Sequence, residues 1–190
     1  MRRASILACI FLLMPLFSLQ ARDNIVFYEM GGRNPALWSG LRTYFTGKGY
    51  GVSIYESADS IEKQIQNANK ISKEKAAIFL AVELVPSEKE GIFVAISKTK
   101  KGKGSILEID EVPAAHGTDS EELALAIAAP FGVKIKRLPL FAFLGIDMPG
   151  AFLKIDCPKE KTGEIFNKLN EGLQKYLNRG AKDEDERKNQ

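Results

Sequence analysis

Apolar and polar positions along this chain switch between two periods. Residues 25–28, IVFY, are a short continuous apolar run closed by Gly31 and Gly32, the pattern of a buried strand. Pro35 then opens PALWSGLRTYFTGKG. There Leu37, Leu41, Tyr44 and Phe45 recur at helical spacing until Gly47 and Gly49 stop the helix. YGVSIYES, 50–57, reads as a second strand. Asp59 or Ser60 caps the next helix, whose Ile61, Ile65, Ala68 and Ile71 form an apolar stripe. AAIFLAVEL, 76–84, is the third strand, and its unbroken apolar run predicts burial on both faces, as in a parallel sheet.

GIFVAISK and SILEIDEV read as two more strands, and Gly102 and Gly104 in the connecting TKKGKG predict a hairpin. The lysines between 98 and 103 could grip an anionic polymer, but a solvated turn guarding a sheet edge is the simpler reading. SEELALAIAAPFG is a helix capped by Asp119 or Ser120. PLFAFLGI and GAFLKIDC are strand candidates around the turn DMPG. Residues 163–177 form the last helix, with Ile165, Leu169, Leu173 and Leu177 on one face. The tail, 179–190, is charged, lacks large apolar residues and is predicted to be disordered. Helices alternating with strands mean one α/β domain over 22–178, a mixed, largely parallel twisted sheet flanked by helices.

The first 21 residues change the picture of where the chain works. Arg2 and Arg3 precede an apolar run from Ile6 to Leu19, and Ala21 closes it, the layout of a secretory signal peptide. The run is short for a membrane span, so no stable span is expected after cleavage; an uncleaved N-terminal anchor is the alternative. Too little apolar chain precedes Cys9 for a lipoprotein box. The expected location is periplasmic or secreted. The full chain carries a net charge of +3, and the leader removes two arginines and no acid. A near-neutral mature chain gives no general reason to bind nucleic acid. Only Cys157 then remains, so no disulfide can form within the chain, and its apolar surroundings predict packing rather than reactivity.

Ligands of parallel sheets usually bind at the carboxyl ends of the strands. Those ends here carry Glu29, Glu83, and the pair Lys154 and Asp156. Other chemistry is sparse. His116 is the only histidine and lies in a loop. Ser39, Ser53 and Ser97 have no nucleophile-elbow context. Asp110 and Glu111 are adjacent, so on a strand they would face opposite sides. Gly31 and Gly32 could cradle an anion, though a plain turn explains them. Trp38, Tyr44, Tyr50 and Tyr55 could stack on sugars or pack in the core.

Several segments together resemble the zinc-dependent N-acetylmuramoyl-L-alanine amidases that cut bacterial peptidoglycan. Asp59, Ile61, Gln64, Ala68 and Asn69 stand where that family has an aspartate, an apolar residue, an arginine and Ala-Asn. Ala81-Val82-Glu83 stands where the family's strand ends in Ser-Ile-His. GYGVSIY looks like its second strand, and MPGAFLKID resembles its Met-Pro-Ala-Val-Leu-Val-Glu segment. The resemblance spans most of the chain, from about Ile25 to Leu177.

The departures fall on the chemistry. The resemblance puts Met30 at a zinc-binding His, Glu83 at another, and Lys154 at the catalytic Glu, and no acid lies between Gly32 and Tyr55 to supply the remaining ligand. A catalytic zinc needs about three protein ligands and one open position. A thioether suits zinc poorly, and an ammonium cannot serve as the general base near neutral pH. The resemblance therefore implies a pseudo-amidase with no cofactor and no catalytic residue, its cleft lined by Glu29, Met30, Glu83, Lys154 and Asp156. Its partner would be peptidoglycan or an envelope protein. Two alternatives stay open: a divergent peptidoglycan hydrolase using Glu29, Glu83 and His116 as metal ligands, and a structural interaction protein of the envelope. The Lys154 ammonium is expected to take roughly the metal's place and pair with Glu83, with Glu29 as a second candidate partner, as a buried ion pair; the alternative is that both side chains are simply solvated at the rim of the sheet.

Overall fold

The structure, a computed structural model, describes residues 23–32, 34–98 and 108–188, with side chains to residue 179. The leader, and the lysine-rich connection predicted as a hairpin, lie outside these residues. Among them, strands β1 (Asn24–Met30), β2 (Gly51–Glu56), β3 (Ile78–Pro86), β4 (Gly91–Ser97), β5 (Ile135–Leu138) and β6 (Gly150–Cys157) form one sheet in the order β2-β1-β3-β6-β4-β5. β2, β1, β3 and β6 are mutually parallel. β4 runs antiparallel to β6, and β5 runs parallel to β4. Direction therefore reverses once, between β6 and β4.

Helices α1 (Pro35–Gly47), α3 (Gly117–Ala128) and α4 (Thr162–Lys188) cover one face of the sheet. Their Trp38, Leu41, Phe45, Leu123, Ile127, Ile165, Phe166 and Leu169 pack with Ile25, Phe27, Leu80, Val82 and Leu153. α2 (Ile61–Ile71) and the segment 140–148 cover part of the other, through Ala68, Ile71, Phe143 and Ile146 on Val26, Tyr28, Phe79 and Ala81. No helix among the described residues is long and apolar enough to cross a membrane.

A buried polar hub fixes α2 to the sheet. The Tyr28 hydroxyl donates to Gln64 Oε1 at 2.7 Å, and Gln64 Nε2 donates to the carbonyls of Ala142 (2.9 Å) and Leu144 (3.1 Å). The same hydroxyl accepts from the Ala58 amide at 2.7 Å and from Asn67 Nδ2 at 3.2 Å. One fully buried amide thus joins β1, α2 and the 140–148 segment. Each bond is needed, because a buried donor or acceptor left alone costs more than a made bond returns. Tyr55 secures the sheet edge, donating to Glu74 beyond α2; burial and that carboxylate push its phenol up to about 12.

Four sequence expectations are corrected. Residues 108–111, predicted as strand, form a turn leading into a 3-10 turn at Val112–His116. Glu111 donates back to the Glu108 carbonyl, and Pro113 removes a strand donor. The apolar run 139–146 is not a strand either. A 3-10 turn at Phe141–Phe143 and a bend at Gly145 (φ 73) lay it across the sheet, with Phe143 edge-on to Phe79. α3 begins at Gly117 rather than after Asp119 or Ser120, and the Ser120 hydroxyl accepts the Gly150 amide instead of capping (3.0 Å). The α4 backbone continues to Lys188 through part of the tail read as disordered, a stretch rich in good helix formers.

Replacing Gln64 with Ala should destabilise the domain by about 2–3 kcal/mol, the scale for stranding buried partners. In urea the midpoint should fall at unchanged slope. A loss within experimental error would mean that the hub is dispensable.

Candidate functional site

The sheet register builds the site. Met30 on β1 pairs with Glu83 on β3, Glu83 pairs with Lys154 on β6, and Lys154 pairs with Phe93 on β4. Paired residues project to the same side, so this row shares the face that α2 partly covers. At its centre Lys154 Nζ stands 3.2 Å from Glu83 Oε1. The sequence expectation of an ion pair is met in geometry but not in depth, since the two side chains keep 44% and 31% of their exposure. The pair sits at the rim because α2 and the 140–148 segment cover only the inner part of this face.

Gly31 (φ 76) turns the chain directly over Glu83, where a Cβ would lie 3.1 Å from Glu83 Cγ. The turn therefore shields the carboxylate's stem. Toward β4, Phe93 and Phe152 meet edge to face at 6.2 Å, and the Lys136 ammonium lies 5.4 Å from the centre of the Phe93 ring. Sequence reasoning missed this aromatic shelf. The signal for it was the period-two run Phe152, Lys154, Asp156, which puts an aromatic ring and two charges on one face.

The other candidates separate. Glu29 pairs in register with Val82, which packs under α1, α3 and α4, so Glu29 is buried at 5% exposure on the opposite face from Glu83. Adjacent positions of one strand cannot both reach one cleft. Asp156 shares the face of Lys154 but leans over Gly91, whose absent side chain makes room: a Cβ there would stand 2.5 Å from Asp156 Oδ2. His116 Nε2 bonds Asp147 Oδ1 at 3.0 Å, beyond the amino end of β6 and far from Glu83. Glu29, Glu83 and His116 are therefore not brought together, and among the described residues no group of three or more His, Cys, Asp or Glu side chains is placed to hold a metal ion. Trp38 and Tyr50 are core residues, while Tyr44 and Tyr55 are committed to Asn167 and Glu74. Cys157 is buried, its sulfur 3.4 Å from the Thr162 hydroxyl.

No family model matches the sequence, and no curated protein matches it. Solved structures match the fold. Ami1 from Mycobacterium smegmatis, an N-acetylmuramyl-L-alanine amidase, gives a TM-score of 0.57 at 10% identity, covering 83% of this chain and 98% of that one. The chain has the fold of the N-acetylmuramoyl-L-alanine amidases. An N-acetylmuramoyl-L-alanine amidase from Clostridium difficile 630 gives a TM-score of 0.51 at 13% identity over 83% of this chain and 98% of its own. The catalytic domain of the CD27L endolysin, which targets Clostridia difficile, gives 0.51 at 11% identity over the same shares. The mixed, largely parallel sheet and its helical cover agree with the fold class read from the sequence.

Exposure sets the strength of the Glu83–Lys154 pair. A deeply buried pair broken on one side would cost about 3–5 kcal/mol. Water screens this one, so Lys154→Ala should cost no more than about 1 kcal/mol in chemical denaturation. A loss above about 3 kcal/mol would mean that the pair is sealed from water as a buried pair is.

Proposed function

We propose that this chain is a secreted, amidase-fold protein that binds peptidoglycan or an envelope partner at the carboxyl ends of β1, β3 and β6, without zinc chemistry. The observation that carries the reading is the row Met30, Glu83, Lys154. At the positions the resemblance assigns to two zinc ligands and the catalytic carboxylate, the chain places a thioether and a mutually neutralising ion pair.

That donor set does not fit a catalytic zinc. Met30 offers a poor ligand, Glu83 is already engaged by an ammonium, and Glu29 faces the other side of the sheet. A cation arriving beside Lys154 would also meet like-charge repulsion in a partly screened site. No carboxylate stands where the family's base would act, because Lys154 takes that position and is engaged by Glu83.

What the cleft retains suits binding. It offers an ammonium with donors beyond the one given to Glu83, an aromatic shelf in Phe93 and Phe152, and a second ammonium at Lys136. Ring faces take sugar or acyl groups, and charges set the register.

Sedimentation with isolated peptidoglycan at low salt tests the reading. The wild-type protein should co-sediment, and Lys154→Glu, which sets two carboxylates side by side, should weaken retention roughly tenfold, about 1.4 kcal/mol. No soluble muropeptides should appear. Absence of retention on several wall types would remove the wall as ligand. Muropeptide release abolished by Glu83→Ala would instead make the chain a divergent hydrolase.

A further inference from the structure

We infer a second ligand site at the opposite end of the sheet, one that takes a small molecule bearing a phosphate or carboxylate group. Because β4 and β5 run against β6, their carboxyl ends lie at the end of the sheet away from Glu83 and Lys154. Both strands end there beside the amino end of β6. A cavity of about 420 Å³ occupies that position here, bounded by the end of β4, by β5 and by the first turn of α3. Its size is within the usual range for small-molecule sites, about 300–1,000 Å³.

The lining defines the ligand class. Lys98 and Arg137 bring two cations and Glu121 one anion, so the cavity carries a net positive charge. Arg137 gives one N–H to Glu121 at 2.6 Å, which leaves other donors of its fixed fork for an incoming oxyanion. Ser97 and Thr118 add hydroxyls at the rim, and Phe143 gives the floor an apolar surface. The α3 amides are not the attraction, since the helix continues from the preceding 3-10 turn and the Gly117 amide already bonds Ala114. Recognition thus falls to side chains: an oxyanion on Arg137 and Lys98, with the rest of the molecule over Phe143.

None of these residues belongs to the Glu83–Lys154 cleft, so the site stands or falls apart from the proposed wall binding. The test is a titration of the full mature chain, followed by two-dimensional NMR, with inorganic phosphate, citrate and glucose 6-phosphate as separate probes at low salt. Saturable shifts should appear at Thr118, Arg137 and Lys98 with at least one probe, and which probe binds tightest separates a phosphate ligand from a carboxylate one. Arg137→Gln should weaken binding roughly tenfold, while Lys48→Ala, in a separate groove between α1 and α4, should leave it unchanged. Failure of all three probes to give saturable shifts would overturn the proposal. So would shifts that survive both Arg137→Gln and Lys98→Ala.

Discussion

A carboxylate at the carboxyl end of a central strand has to be met by positive charge or by water, and here the sheet register supplies the charge. Because β1, β3 and β6 are parallel and in fixed register, positions 30, 83 and 154 fall side by side on one face. Glu83 therefore meets Lys154 without any help from loops. The same alternation sends Glu29 through the sheet to the other face. One geometric rule thus both assembles the pair and removes the nearest candidate for a third participant.

The rest of the fold holds that row at the rim rather than in the interior. Gln64 bolts α2 and the 140–148 segment over the inner parts of β1, β3 and β6, and that cover reaches Met30 but stops short of Glu83 and Lys154. A partly wet ion pair is weak as a staple and available as a contact point. On the proposed binding reading, its value lies in presenting an ammonium beside an aromatic shelf, since a screened pair adds little folding energy.

Much of this was legible in the chain itself. The unbroken apolar runs of β1 and β3 announced buried parallel strands, and the charges at positions 83 and 154 announced each other once the strands were placed in parallel. Less legible was anything decided by a neighbour. IKRL at β5 is too short and too basic to read as a strand until β4 lies beside it. The run 139–146 is as apolar as a strand but covers the sheet instead of joining it, a distinction periodicity cannot make. Whether the charges at 83 and 154 lie buried or at the rim is open in the sequence for the same reason, since burial depends on where the cover ends and not on which residues pair.

Zinc content is the measurement that bears most directly on the cleft. The mature protein would be dialysed against excess zinc, then against zinc-free buffer, and assayed for metal. An ion pair in place of a metal site predicts zinc far below stoichiometric, unchanged by Glu83→Ala. About one zinc per chain, lost on Glu83→Ala, would contradict it and show that donors outside the row complete a site.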